Sequence, residues 1–127
     1  MKARESALRL KRFEADEKAR KVADIEHMIR EFEGMANDLD RQIKAEEDRT
    51  GIKDSAHFAY STFAKSASHR RDNLRASADG LKVKLEAAQR ERDEALEQAA
   101  LADAPASRAE LRSSRRRSDR TSTAALR

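Results

Sequence analysis

The sequence predicts an all-α fold: two long helices forming an antiparallel coiled-coil hairpin, with a disordered basic C-terminal tail. Three observations predict it. Apolar residues recur in two seams, with steps alternating between three and four, which is heptad spacing. Charged residues make up 41% of the 127-residue chain and aromatics 4%, a mixture that cannot easily fill a globular core. Only one Pro and three Gly occur, which suits long uninterrupted helices.

Helix 1 is expected over about residues 3–47. Placing Val22 at a and Ile25 at d puts Leu8, Ala15, Ile29, Ala36 and Ile43 at a, and Phe32 and Leu39 at d. The remaining seam sites, Lys11, Lys18 and Glu46, lie toward the helix ends. There, long side chains can lay their stems on the seam and keep their charge in water.

A loop is expected at 48–54. Thr50-Gly51 reads as a helix stop, because glycine can take the left-handed conformation that closes a helix. Asp54 reads as the N-cap of the next helix. Ile52 is expected to tuck between the helix ends.

Helix 2 is expected over about residues 55–103, ending before Pro105, since the residue before proline disfavours the helical region. Its seam runs Tyr60, Ala64, Ala67, Arg71, Leu74, Ala78, Leu81, Leu85, Ala88, Arg92, Ala95, Ala99, Ala102. Two helices of nearly equal length predict a hairpin, with Ile43 near Tyr60, Ile29 near Leu74 and Val22 near Leu81. At 1.5 Å per residue each arm would be roughly 65–70 Å long. A parallel dimer of one long broken helix would satisfy the same seams. Residues 1–103 thus read as the hairpin, monomeric when free, and 104–127 as the tail.

Large aliphatic side chains stabilise by roughly 1.5–3 kcal/mol each when buried. Beyond residue 88 the second seam holds only Ala and Arg, so the open end is expected to be weakly held. Gly34 and Gly80 fall at f and c, pointing away from the seam.

The net charge of +4 is unevenly spread. Residues 104–127 carry seven Arg against two acids, while the other 103 residues carry 21 basic and 22 acidic groups. The tail could meet phosphates of nucleic acid or anionic lipid, but it lacks aromatics for base stacking. A nucleic-acid-associated or purely structural coiled coil using this tail is the alternative function. Arg115-Arg116-Arg117-Ser118 is similar to a basic kinase target.

Several chemistries find no residues to carry them. There is no Cys, so disulfides and thiolate sites are excluded. His27, His57 and His69 have no second His at i+3 or i+4, and no metal site is expected. No phosphate-binding loop, nucleophile elbow or dinucleotide fingerprint occurs, so no enzyme activity, cofactor or small-molecule substrate is expected. No apolar run approaches the ~20 residues needed to span a bilayer. The basic N-terminus lacks the apolar stretch of a secretory signal.

Three of the five aromatics, Phe58, Tyr60 and Phe63, fall in one hexapeptide. On a helix Phe58 points about 160° from Tyr60, so at least one should be exposed or cover the hairpin turn. Phe58 could cap the two-helix core or anchor a partner protein.

Leu10–Ile43 resembles the first helix of the alphaproteobacterial FliJ family of flagellar export proteins, and Ala56–Lys82 resembles the start of its second helix. The string Arg70-Arg71-Asp72-Asn73-Leu74 after the aromatic hexapeptide is the more specific part. The resemblance covers about residues 1–100. It implies a non-enzymatic antiparallel coiled coil of the flagellar type III export apparatus. The implied partners are the export ATPase ring, the cytoplasmic domain of the export gate and export chaperones. The implied location is cytoplasmic, at the inner face of the cell membrane. The closed end is expected to meet a partner through Ile43, Phe58, Tyr60, Phe63, Arg70 and Arg71. Family members usually continue with a long helix of mixed charge, from which the Pro105-led Arg/Ser stretch departs.

Overall fold

In the computed structural model, α1 spans Lys2–Thr50 and α2 spans Thr62–Ala125. The structure describes residues 2–125, with 104–125 by their backbone alone. α2 runs on past the expected stop at Pro105, since a proline inside a helix removes one backbone hydrogen bond without having to end it; the side chains of the expected basic tail lie outside the described residues. The fold is all-helical, with the two helices packed against each other within one chain. Two compact units are distinguished: Lys21–Ala88, and Met1–Arg20 with Gln89–Arg127.

The Lys21–Ala88 unit holds most of the buried apolar residues. Val22, Ile25 and Ile29 pack with Ala88, and Leu81 and Leu85 close over them. Nearer the turn, Leu39 and Ile43 pack with Ala64 and Ala67, joined by Tyr60 and Leu74. Ala36 and Ala78 are buried between these clusters. Large side chains thus come mainly from α1 and small ones from α2. The size of the facing side chains sets how near two helix axes approach. Alanines on one partner permit a close approach and cost nothing in helix propensity.

In the other unit Ala15 is the buried apolar residue, and Leu8, Ala95, Ala99 and Ala102 are half-buried. Lys18 pairs with Glu91 at 3.3 Å and Arg12 with Asp103 at 3.6 Å, confirming an antiparallel course. Arg12–Asp103 is exposed and Lys18–Glu91 is part-buried with side chains still more than two-fifths exposed, and such pairs contribute little. The expected contrast lies between a large-residue closed end and an alanine-rich open end, and among the described residues the large buried side chains do belong to the Lys21–Ala88 unit.

Helix boundaries depart from expectation at the turn. α1 runs to Thr50, three residues further than expected. Gly51 follows with φ 75° and its N–H donates to Glu47 O at 2.8 Å, the left-handed closure expected of glycine. α2 starts at Thr62, not near 55. The reason lies in the turns after Asp54. Its Oδ1 accepts the Ala56 N–H at 3.0 Å as a cap would, but the backbone that follows closes in i→i+3 turns and does not propagate into helical i→i+4 bonds. Successive turns follow, with His57 N–H donating to Asp54 O and Tyr60 N–H to His57 O, each at 3.0 Å.

Ser61 is the actual N-cap. Its Oγ accepts the Ala64 N–H at 3.2 Å and donates to Glu46 Oε1 at 3.0 Å, tying the start of α2 to α1. Ile52 is half-buried in the loop, compatible with its expected tuck.

The late start of α2 moves the pairing by one heptad. The expected register sets residue 40 opposite 63 and residue 33 opposite 70. Instead Asp40 pairs with Arg71 and Arg75, and Glu33 with Lys82. Ile29 accordingly lies in the cluster of Leu81 and Leu85, while Leu74 joins Leu39 and Ile43. Tyr60 and Ile43 still share a cluster because the loop folds Tyr60 back against the helices.

A Ser61→Ala variant should lose about 1 kcal/mol of stability. Its melting temperature, followed by far-UV circular dichroism, should fall by roughly 4–8 °C. An unchanged melting temperature would show that the cap contributes nothing.

Candidate partner-binding surface at the closed end

The loop from Gly51 to Ser61 closes the Lys21–Ala88 unit. Beyond the Asp54 turn, His57 Nδ1 accepts the Ala59 N–H at 3.0 Å. The His57 ring stacks on Phe58 with centroids 4.7 Å apart and planes at 22°. Phe58 is nevertheless 96% exposed. It does not cap the core, which corrects that expectation. A helical path would already have turned Phe58 away from the Tyr60 seam, and the consecutive turns likewise carry it outward. The backbone beneath it is held by hydrogen bonds, so the ring is presented on an ordered support.

The other expected contact residues divide. Ile43 is buried in the hairpin's own core, and Tyr60 is half-buried against the same cluster. Both support the surface rather than form it. Phe63, on the first turn of α2, is 55% exposed. Phe58 and Phe63 are thus the aromatic residues that the closed end offers to solvent. Arg70 is exposed.

Arg71 is occupied within the chain. Its side chain is 24% exposed and its Nη1 donates to Asp40 Oδ1 at 2.8 Å. Its Nε and Nη2 donate to Asp72 Oδ1 at 3.1 and 3.0 Å. Arg75 donates to the second oxygen of Asp40. An arginine at a seam position therefore finds its counter-charge on the facing helix. A polar group at such a site specifies register.

These contacts shift proton affinities. The Arg71 hydrogen bond, opposed by desolvation and then aided by the hydrogen bond and charge of Arg75, holds the Asp40 carboxyl below its usual range. Glu46 is likewise lowered, first by the Arg49 hydrogen bond and then by Ser61. The Lys82 ammonium is raised, chiefly by its hydrogen bond to Glu33.

Sequence reasoning missed Ser61, Asp40 and Arg75. Ser61 carried a readable signal, a serine just ahead of an apolar-periodic run. Asp40 and Arg75 flank the seams at heptad positions that face each other, but only in the actual register.

Glu33, Asn37, Arg75, Ala78, Asp79 and Lys82 line a shallow polar groove on this unit. Among the described residues no group of three or more His, Asp or Glu is placed to hold a metal ion. No helix among them is long and apolar enough to cross a membrane. Compared with known protein families, curated proteins and solved structures, the chain finds no match.

Folding depresses the Asp40 pKa, so protonating it costs more in the folded than in the unfolded chain. Its contribution is complete above the ordinary carboxylate pKa and is lost as the pH falls through the lowered value. Between about pH 7 and about pH 3, the parent should therefore lose more stability than an Asp40→Asn variant, measured by urea denaturation. Equal losses would show that the clamp does not act through this charge.

Proposed function

We propose that this chain is a non-enzymatic docking component of a bacterial flagellar protein export apparatus. In this reading it links the export ATPase ring to the cytoplasmic domain of the export gate and to export chaperones. It works in the cytoplasm, against the inner face of the cell membrane. The observation that carries the docking role is Phe58, almost fully exposed on a hydrogen-bonded turn. A bare aromatic on an ordered support loses little conformational freedom on binding, and such residues dominate interface energetics. Phe63 adds a second aromatic at the start of α2.

The assignment to flagellar export rests on the segments Leu10–Ile43 and Ala56–Lys82, with the string Arg70–Leu74 as their most specific part. The two-helix fold suits the role. A paired helical arm resists bending better than a single helix and carries a contact at its tip. Arg71 and Asp72 of that string serve the clamp with Asp40, while Arg70 stays exposed. Arg70 is therefore the member of the string available to a partner.

Purified chain should bind the isolated cytoplasmic domain of the export gate or the export ATPase. Phe58→Ala should weaken the gate interaction by about tenfold or more, with helix content unchanged. Calorimetric titration reads the affinity and circular dichroism the fold. No binding to either partner by the parent chain, together with normal motility after gene deletion, would contradict the reading.

A further inference from the structure

An antiparallel helix pair has two edges, and in the Lys21–Ala88 unit they differ. One edge carries the cross-helix ion pairs of Asp40 with Arg75 and of Glu33 with Lys82. These four residues occupy the position that follows d in each heptad, so this edge is closed by charge. The opposite edge is formed by the residues preceding a. There α1 contributes Met28 and Met35, 38% and 46% exposed, and α2 contributes Phe63 and Ser77. Half-buried Phe32, Leu74 and Leu81 stand at the d positions beside them. Met28, Phe32, Met35, Leu74 and Leu81 thus make the middle of this edge apolar, while Arg70 and Lys84 hold the same position as Ser77 on α2.

Charge frames this apolar stretch asymmetrically. On the α1 side, the next position outward is acidic in three successive heptads: Asp24, Glu31 and Asp38, all exposed. On the α2 side, exposed Arg70 and Lys84 bracket Ser77. Between these two cations Gly80 lies on the outer face, and a Cβ there would meet nothing within 4 Å. An incoming backbone thus has room to approach α2 between the cations. Arg41 and His27 contact Asp38 and Glu31 along α1, but such exposed pairs are weak and yield readily to a competing cation.

We propose that this edge binds one amphipathic helix of a partner protein, seated as a third strand of the coiled coil. Charge complementarity defines the occupant. Its apolar stripe covers Met28, Phe32 and Met35. Lysine or arginine on one flank meets Asp24, Glu31 and Asp38. Aspartate or glutamate on the other flank meets Arg70 and Lys84. Methionine suits such a surface, because its flexible side chain adapts to different apolar partners. The proposal is independent of the flagellar assignment and would hold for any apparatus the chain serves.

The test uses two synthetic helical peptides with the same heptad apolar stripe. One carries Lys on one flank and Glu on the other; the second carries Glu on both flanks. Fluorescence anisotropy with the full chain should show binding of the first and not of the second. Met28→Glu with Met35→Glu should weaken it by about tenfold or more, with helix content retained. Asp24→Lys with Glu31→Lys and Asp38→Lys makes both flanks of the edge cationic and should transfer the preference to the peptide with Glu on both flanks. Equal binding of both peptides, or binding of neither, would overturn the proposal. So would light scattering that shows a dimer dissociated by the methionine substitutions, since the edge would then be covered by a second copy.

Discussion

One carboxylate sits between two arginines of the facing helix. Asp40 receives Arg71 through one oxygen and Arg75 through the other. Nothing in hydrophobic packing alone would distinguish this register from one a heptad away, because α2 presents alanine at so many seam sites. Leucine or isoleucine can slide past a row of alanines with modest loss of buried area. A charge at a seam position cannot slide, since a half-buried arginine that leaves its counter-ion keeps the desolvation cost and loses the attraction. The clamp therefore decides which residues line each edge of the Lys21–Ala88 unit, and so which surfaces a partner can meet.

Turn and clamp reinforce each other. Gly51 ends α1 in the left-handed region, and Ser61 opens α2 while bonding to Glu46. The loop between them holds enough residues to set the start of α2 where Arg71 reaches Asp40. The same loop throws Phe58 outward, because its hydrogen bonds are spent in successive tight turns. Stability and display are thus built from one segment. In the other unit Ala15 is buried, and the cross-helix pairs Lys18–Glu91 and Arg12–Asp103 have side chains more than two-fifths exposed, so each contributes little.

The architecture was legible in the sequence because helical pairing depends on periodicity, and periodicity survives any error of register. Val22, Ile25, Ile29, Leu39 and Ile43 point inward as their spacing demands. The turn was less legible. Asp54 and Ser61 are both good helix openers in isolation, and only the successive i→i+3 turns after Asp54 decide against the first. Once that choice is wrong, each partner along α2 shifts by a heptad, and Ile29 is assigned Leu74 instead of Leu81 and Leu85. The surface was legible in part. An exposed aromatic was expected from the crowding of Phe58, Tyr60 and Phe63, but which one depended on the loop. The methionine edge was hidden, since Met28 and Met35 gain meaning only when the opposite edge is seen to hold the ion pairs.

The central claim is the register, and a distance measurement tests it most directly. The chain lacks cysteine, so paired spin labels can be attached at chosen sites. Labels on Glu33→Cys with Lys82→Cys should report a short separation. Labels on Glu33→Cys with Phe63→Cys should lie further apart by roughly 10 Å, since in this register residue 33 faces residue 77, about five residues from Lys82 and about fourteen from Phe63. A short distance for the second pair and a long one for the first would place α2 a heptad or more away and contradict the account.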